Sequence, residues 1–187
     1  MNFGLTETQE LIRASAREFL EDRSETDIVR AVANGDNEAI SSLWKDIVDL
    51  GWTSITISEQ HGGAGLSFND LAVILEELGA SLAPTPLAES SITSWVIDRF
   101  APDSLKSDLL PKIANGDILI TPAIVDQNAS WDPESTTVAA TRSVSSLVVT
   151  GEKRFVAFAE QATHALTLTR IDNEEPALVA IPIWKAE

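Results

Sequence analysis

Apolar residues change their spacing once along this chain of 187 residues, and the change divides it into two parts. Before Gly116 they recur every three or four positions, which is the period of a helix with one buried face. After Gly116 they alternate with polar residues, which is the period of a strand with one buried face. Helices followed by strands predict an α+β chain, with an all-α domain at residues 1–116 and a sheet domain at residues 117–187.

Six segments of the first part are predicted to be helices. Thr6 and Ser67 each precede an apolar stripe, with Gln9 or Asp70 three residues on, and Asn37 is a candidate cap for the third helix. The apolar stripes or spans lie at residues 11–20, 27–33, 40–48, 68–78, 92–100 and 105–113.

Three segments of the first part need a separate interpretation. Residues 52–57 alternate in side-chain type, which predicts an extended crossing. Pro111 lies inside the last helical pattern, so we expect a kink or an early end there. The loop at residues 61–65 contains three glycines, which suit a tight turn or a close approach to another surface. It lacks the G-x-G-x-x-G spacing of a dinucleotide site.

Six segments of the second part are predicted to be strands. They lie at residues 118–125, 136–142, 146–150, 153–158, 163–170 and 177–183. His164 lies on one of them without metal-binding partners at ligand spacing, so we expect no metal site.

Composition excludes several classes of function. The net charge is −16, and nucleic-acid binding needs a basic surface that such a chain does not supply. No apolar run reaches 18 residues, so we expect no membrane span. The chain has no cysteine, which excludes disulfides, thiol catalysis and zinc–thiolate sites and is compatible with the cytoplasmic location that we expect.

Several segments, taken in order, resemble one known family. EQHGGAGLSFNDLAVILEELG at residues 59–79 follows LWKDIVDLGW at residues 43–52 and precedes LAPTPL at residues 82–87. This set looks like the amino-terminal helical domain of the acyl-CoA dehydrogenases, and FGLTETQELIRASAREFL at residues 3–20 is similar to that family's first helix. GEKRFVAFA at residues 151–159 resembles the segment of the family's middle β-domain that lies against the flavin.

The resemblance implies a fold, an activity and partners. It implies an amino-terminal helical domain followed by a partial β-barrel-like domain, with FAD-dependent α,β-dehydrogenation of an acyl-CoA thioester as the activity. In the family a carboxy-terminal helical bundle follows, holds the glutamate base and drives oligomerisation, and this sequence stops before it. We therefore expect a chain that is inactive alone and forms a homo- or hetero-oligomer with a full-length relative that binds acyl-CoA.

The resemblance also implies a flavin and substrate site, whose first part follows the strand at 118–125. The family has T-E-P-x-x-G-S-D there, whereas this chain reads D-Q-N-A-S-W-D from Asp126. Asp126, next to Val125, stands where a flavin-binding threonine is expected. Trp131, next to Ser130, falls where a small serine approaches the flavin and the substrate. A carboxylate beside the electron-rich edge of a flavin is electrostatically unfavourable.

The second part of the implied site is the segment after Gly151, where the family has W-I-T or W-I-S following G-x-K. Phe155 replaces the tryptophan and Ala157 replaces the hydroxyl residue, and each lost hydroxyl donor removes roughly 1 kcal/mol of binding. Two interpretations stay open. One is a working flavin site aided by the backbone amides of residues 126–131. The other is a degenerate site in a non-catalytic partner subunit of a heteromeric dehydrogenase; an isolated binding module is a third possibility.

Other polar residues carry weaker hypotheses. Lys153 and Arg154 follow a tight turn and suit either a phosphate or a structural ion pair. His61 in the glycine loop could contact a ligand, although an exposed loop histidine usually has no such role. Glu76 and Glu77 are predicted to lie on the solvated face of their helix.

The tryptophans divide into two groups. Trp44 and Trp95 lie on apolar helix faces and are predicted to be core residues. Trp52, Trp131 and Trp184 lie in predicted extended or loop segments, where an interface or a ligand wall is the favoured role.

Overall fold

The computed structural model describes residues 4–144, 146–172 and 175–183 of the chain. The chain forms two compact units, residues 1–117 and residues 118–187, which we call the helical unit and the sheet unit. Helices come before strands in the chain, so the predicted α+β order of elements is confirmed.

Six α-helices form the described part of the helical unit. They are α1 (Glu7–Arg23), α2 (Thr26–Ala33), α3 (Asn37–Asp49), α4 (Phe68–Ala80), α5 (Leu87–Phe100) and α6 (Asp103–Ala114). Two 3₁₀ turns, Trp52–Ser54 and Glu59–His61, lie between α3 and α4. Over the described residues, no helix is both long enough and apolar enough to cross a bilayer.

The predicted helix caps form as reciprocal hydrogen bonds. The Gln9 backbone N–H donates to Thr6 Oγ1 over 3.2 Å, and the Thr6 N–H donates to Gln9 Oε1 over 3.0 Å. In α4 the Ser67 N–H donates to Asp70 Oδ2 over 2.9 Å, and Ser67 accepts in return from the Asp70 N–H. The prediction for Asn37 is wrong by one residue. Asp36 caps α3, because its carboxylate accepts from two backbone N–H groups of the first turn.

Ser67→Ala is expected to lower the free energy of unfolding by about 1 kcal/mol. The variant leaves the Asp70 backbone N–H without its side-chain acceptor and also removes the hydroxyl that donates to the Asp70 carboxylate. Ser41→Ala is the matched control, since the exposed Ser41 hydroxyl only donates to the Asn37 carbonyl within α3. Urea titrations of both variants measure the difference, and equal effects would contradict the capping role of Ser67.

The core of the helical unit is a buried apolar cluster in which α1 packs against α4. Leu20 of α1 and Leu71 and Ile74 of α4 are buried, as the apolar stripes of the two helices predict. Trp44 packs against this cluster as a partly buried residue, which agrees with its predicted core position.

The prediction of an extended crossing at residues 52–57 is wrong, because a 3₁₀ turn begins at Trp52. Gly51 has a φ of 74°, which turns the chain as α3 ends, and the Ser54 hydroxyl donates to the Gly51 carbonyl over 2.8 Å. Trp52 is buried in the core, where its ring meets the Phe19 ring edge to face at 5.3 Å. Trp52 is therefore a core residue, and its predicted interface role is also wrong.

The expected early end of α6 at Pro111 is wrong, because the helix continues to Ala114. Pro111 lies near the carboxy-terminal end of α6. Because proline has no backbone N–H, the helix lacks only the one hydrogen bond that this N–H would donate. The Pro111 carbonyl still accepts from the Asn115 N–H over 3.1 Å. One missing donor near a helix end is therefore tolerated.

The buried face of α5 is not the predicted one. It is formed mostly by small hydroxyl residues, which are Ser90, Ser91, Thr93 and Ser94. The Thr93 hydroxyl donates to the Glu89 carbonyl over 2.7 Å, and the Ser94 hydroxyl donates to the Ser91 carbonyl over 3.0 Å. Such bonds to the preceding helical turn satisfy the hydroxyls of Thr93 and Ser94. The hydroxyls of Ser90 and Ser91 are buried without a hydrogen-bond partner.

The apolar stripe of α5 instead lies on the outside. Ile92 and Phe100 are exposed, and Trp95 is only half-buried. The Trp95 ring meets the rings of Phe68 and Phe100 edge to face, at 5.3 and 6.1 Å, and the Arg99 guanidinium lies 5.7 Å from its centre. The predicted core position of Trp95 is wrong, because its neighbours are side chains at the surface.

The two carboxylates at the end of α4 have different environments. Glu76 is exposed, as predicted, and pairs with Arg13 over 2.6 Å. Glu77 is buried, which corrects its prediction, and its Oε1 accepts from Arg17 over 2.8 Å. Hydrogen bonds from Arg17 outweigh the effect of burial and hold the pKa of Glu77 below its ordinary value. This pairing links α1 to α4 at the edge of the core.

Five strands form one mixed sheet in the described part of the sheet unit. They are β1 (Ile120–Ala123), β2 (Ala139–Arg142), β3 (Leu147–Thr150), β4 (His164–Ile171) and β5 (Pro176–Pro182). The central strand β4 pairs along most of its length with antiparallel β5. On its other side β4 pairs with parallel β1 and, at its far end, with parallel β2. β3 is antiparallel to β2, so a single strand organises the whole sheet.

The strand predicted at residues 153–158 does not form. Phe155 and Phe158 have φ values of 54° and 53°, in the left-handed region that extended strands exclude. The segment is a series of turns whose one ladder contact is an isolated antiparallel bridge between Lys153 and Asp126. Trp184, with its predicted interface role, lies outside the described residues.

Candidate functional site

Two connections of the sheet unit come together at the place where the sequence suggests a site. One follows β1 and runs through residues 124–138, and the other follows β3 and runs through residues 151–163. The Arg154 N–H donates to the Val125 carbonyl over 2.7 Å, next to the bridge between Asp126 and Lys153. The fold thus brings Val125 and Asp126 to the segment that carries Phe155 and Ala157.

Asp126 and Lys153 form a buried ion pair at the centre of this contact. The Lys153 ammonium donates to Asp126 Oδ1, to the Ile124 carbonyl over 3.0 Å and to Thr136 Oγ1 over 3.2 Å. Asp126 Oδ2 accepts from the Thr137 backbone N–H, from Thr137 Oγ1 over 2.9 Å and from Thr136 Oγ1 over 3.2 Å. Both charges are therefore hydrogen-bonded as well as paired, as buried ions require.

The ionisation of Asp126 follows from this arrangement. Burial raises the pKa of Asp126, but hydrogen bonds from Lys153 and Thr137, together with the lysine charge, outweigh burial and lower the pKa to about 2. Asp126 is ionised at neutral pH, and the adjacent ammonium balances its charge. Of the two roles that the sequence leaves open for Lys153, the structure shows the structural ion pair, with Asp126 as the partner, and not a cation available for a phosphate.

The segment from Asn128 to Trp131 is held by local hydrogen bonds. The Ser130 N–H donates to Asn128 Oδ1 over 3.0 Å, and Ser130 Oγ accepts from the Asp132 N–H over 3.1 Å. Ala129 adopts a φ of 56°, and the Trp131 side chain is 77% exposed. The loop thus presents a large aromatic ring on the surface of the sheet unit.

Phe155 is presented in the same way by the second connection. Its side chain is 83% exposed, and its positive φ is unusual for a bulky residue. Ala157 is exposed as well, and its carbonyl accepts from the buried Thr121 hydroxyl over 2.8 Å. Strained backbone is often found at functional sites. The exposed Phe155 ring is therefore a candidate contact surface.

Comparison with known proteins identifies the family. The sequence model described as "Acyl-CoA dehydrogenase, N-terminal domain" matches residues 6–117, more than half of the chain. The chain belongs to the acyl-CoA dehydrogenase family. The predicted resemblance is thereby confirmed.

Curated relatives support this membership over the whole chain. An alignment of 191 residues, covering 98% of this chain, is 30% identical to (2S)-methylsuccinyl-CoA dehydrogenase of Cereibacter sphaeroides and covers 34% of that protein. The acyl-CoA dehydrogenase FadE12 of Mycobacterium tuberculosis is 28% identical over 153 residues, which are 78% of this chain and 39% of FadE12. The chain thus spans little more than a third of the length of these acyl-CoA dehydrogenases.

Solved acyl-CoA dehydrogenase structures share the fold. The Tcur3481-Tcur3483 steroid ACAD G363A variant is 25% identical, with a TM-score of 0.81 over 94% of this chain and 48% of that one. The ChsE4-ChsE5 complex from Mycobacterium tuberculosis is 20% identical, with a TM-score of 0.83 over 97% and 49% of the two chains. A Bacillus anthracis acyl-CoA dehydrogenase complexed with FAD is 19% identical, with a TM-score of 0.81 over 95% and 31%.

The side chains that the family resemblance predicts to hold a flavin do not fit the polar edge of a flavin ring. The Asp126 carboxylate is occupied by the ammonium and by the two threonines. Phe155 and Ala157 carry no polar side-chain atom, so Ser130 is the one hydroxyl residue among the predicted site residues. The exposed ring of Phe155 offers a stacking surface without a hydrogen bond.

Thr136 and Thr137 are the members of this site that sequence reasoning missed. Their hydroxyls bond Asp126 from ten and eleven positions further along the chain. The sequence does contain one signal, since an acid that directly follows an apolar strand requires donors when it is buried. The sequence does not indicate which residues supply these hydrogen-bond donors.

Proposed function

We propose that this chain is a non-catalytic subunit of an acyl-CoA dehydrogenase, acting in the cytoplasm in the FAD-dependent α,β-dehydrogenation of an acyl-CoA thioester. A full-length relative supplies the flavin site and the catalysis. One observation carries the proposal: Lys153 and two threonines occupy the Asp126 carboxylate, and Phe155 and Ala157, which stand where the family resemblance predicts a tryptophan and a hydroxyl residue, offer no polar side-chain atom.

Family membership supports a role within a larger assembly. The steroid ACAD that this chain is similar to is named by two components, Tcur3481 and Tcur3483. Two large exposed aromatic residues of the sheet unit, Trp131 and Phe155, are suited to a protein interface because aromatic side chains are enriched in interface cores. We infer that they contact the full-length subunit.

A second candidate is a dehydrogenase subunit that holds FAD itself. The ion pair favours it, since Lys153 removes the repulsion that a free Asp126 would exert on an electron-rich ring. In this alternative the FAD is faced by Val125, Asp126, Trp131, Phe155 and Ala157. The acyl thioester is faced by Ser130 and Trp131.

The two candidates differ in whether the isolated chain is yellow. We expect the purified chain to be colourless and to leave the fluorescence of added FAD unchanged. When it is co-expressed with a full-length acyl-CoA dehydrogenase encoded by a neighbouring gene, we expect a stable complex with flavin absorbance and acyl-CoA oxidation. About one FAD for each isolated chain would reject the first candidate in favour of the second.

A paired variant tests why the isolated chain lacks FAD. Phe155→Trp combined with Ala157→Thr restores the ring and the hydroxyl that the family pattern contains, and it is expected to produce weak FAD binding. Phe155→Trp combined with Ala159→Thr is the matched control, because Ala159 is exposed in the same segment and outside the pattern. Equal FAD binding by both variants would show that the missing hydroxyl at position 157 is not the reason why the isolated chain lacks FAD.

A further inference from the structure

The sequence contains the tetrapeptide Ala-Asn-Gly-Asp twice, at residues 33–36 and 114–117. In an asparagine followed by glycine, the next backbone nitrogen attacks the side-chain amide with unusual ease, because glycine has no Cβ atom to block the approach. The two copies have the same intrinsic reactivity, since their neighbours in the chain are the same. Any difference between them in the folded protein therefore comes from the structure.

The two copies occupy the same kind of position. Asn34 is the cap residue after α2 and Asn115 is the cap residue after α6, and both residues are exposed. The glycines that follow them have left-handed φ values of 97° and 78°. Their N–H groups donate to a carbonyl of the preceding helical turn, over 2.9 Å at Gly35 and 3.0 Å at Gly116. Each nitrogen must therefore be released by a local opening of the turn before it can react.

The packing around the two turns differs. Outside the adjacent residues, no described atom lies within 4 Å of a Cβ atom built on Gly35, whereas one built on Gly116 would lie 2.6 Å from two methyl carbons of Val48. The buried Thr53 hydroxyl also donates to the Ala114 carbonyl over 2.8 Å, next to the second turn. Helix α2, whose residues are all described, contains no buried residue, whereas the last two residues of α6 are buried. Opening the turn at Gly35 therefore costs less free energy than opening the turn at Gly116.

We propose that Asn34 is a site of spontaneous deamidation in the folded chain and that Asn115 is protected. The deprotonated backbone nitrogen of Gly35 attacks the side-chain carbonyl carbon of Asn34, and the bond from that carbon to the side-chain nitrogen breaks, so that ammonia leaves. Water then opens the cyclic imide at either of its two carbonyl carbons, which leaves aspartate or isoaspartate at position 34. The chain gains a water molecule and loses ammonia, and nothing is oxidised or reduced.

The product changes both the charge and the backbone at the end of α2. The new carboxylate adds one negative charge to a chain of net charge −16, and at the carboxy terminus of a helix it opposes the helix dipole. It also lies two residues before Asp36, whose carboxylate caps α3. Isoaspartate in addition inserts the side-chain methylene carbon into the main chain. Deamidation is therefore expected to loosen the corner between α2 and α3.

The test follows deamidation at both asparagines of the purified full chain at mildly alkaline pH, by peptide mapping with mass spectrometry. We expect the product at Asn34 to form about tenfold faster than the product at Asn115, because each rate is proportional to the population of the open turn. In the urea-unfolded chain the two rates should be equal, since the tetrapeptides are identical. Asn34→Ser is expected to remove the acidic species that accumulates first on ion-exchange chromatography, and Asn115→Ser is the matched control that should retain it.

A variant of Val48 tests the cause of the difference. Val48→Ala removes the two methyl groups that crowd Gly116, so it is expected to speed deamidation at Asn115 and to leave the rate at Asn34 unchanged. Four results would overturn the proposal. These are equal rates at the two sites of the folded wild type, a faster reaction at Asn115, no product at Asn34 while the unfolded chain reacts, and a rate at Asn115 that Val48→Ala does not change.

Discussion

Gly63→Ala is expected to lower the free energy of unfolding of the helical unit by about 3 kcal/mol. A Cβ atom at Gly63 would lie 2.0 Å from the carbonyl oxygen of Ile57 and 2.4 Å from its carbonyl carbon. These are backbone atoms, so no rotamer change can relieve the clash. The same carbonyl accepts from the Gly65 N–H over 2.8 Å, and moving it would break that bond.

Gly79→Ala provides the control for this result. Gly79 lies in α4, and nothing lies within 4 Å of a Cβ atom built on it. Alanine is the better helix former, so this variant should be more stable than the wild type by about 0.5–1 kcal/mol. Thermal unfolding followed by the helical circular dichroism signal measures both. A Gly63→Ala variant as stable as Gly79→Ala would show that the close approach of the loop to Ile57 does not exist in solution.

The glycine loop shows how far sequence reasoning reaches. Three glycines within residues 61–65 predicted a tight turn or a close approach, and the backbone of Ile57 is the surface that Gly63 approaches. The pairs Thr6 with Gln9 and Ser67 with Asp70 were also predictable, since each cap joins residues only three apart. A hydrogen bond between residues three apart can be predicted from their spacing in the sequence. A hydrogen bond between residues far apart in the chain cannot be predicted in this way.

Helix α5 shows why periodicity alone can select the wrong face. Its large apolar side chains are spaced for burial, but Thr93 and Ser94 on another face are buried instead. A hydroxyl that bonds to its own helix loses most of its need for water, as Ser94 does through the Ser91 carbonyl. Hydrophobicity therefore ranks the faces incorrectly when the polar residues are small and can hydrogen-bond locally.

The candidate site depended on partners that lie far apart in the chain. Asp126 and Lys153 are 27 positions apart, and no local pattern distinguishes this pairing from others available to a lysine. The sequence did identify the two segments that meet, through the family resemblance at residues 151–159 and the strand that ends at Val125. It did not predict the positive φ of Phe155, because such a conformation depends on the contacts that hold the turn.

Lys153→Met is expected to lower the free energy of unfolding of the sheet unit by about 3–5 kcal/mol at neutral pH. Methionine retains an apolar stem of similar length but leaves the Asp126 carboxylate buried without its counter-ion. The Ile124 carbonyl would lose the ammonium donor as well. Lys112→Met is the matched control, because the exposed pair of Lys112 with Asp108 should contribute no more than about 0.5 kcal/mol.

The pH dependence of the Lys153→Met effect separates a charge effect from lost packing. In the wild type the folded pKa of Asp126 is about 2, below its ordinary value of 3.8, so ionised Asp126 stabilises the fold above pH 3.8 and this contribution disappears as the pH falls toward 2. In Lys153→Met, burial without the ammonium raises the pKa of Asp126, and its protonation on acidification removes the unpaired charge. The stability difference between the two proteins should therefore shrink from neutral pH toward about pH 4. Hydrogen exchange of the β4 amides measures it, and a difference independent of pH would mean that Lys153 stabilises the sheet unit by packing alone.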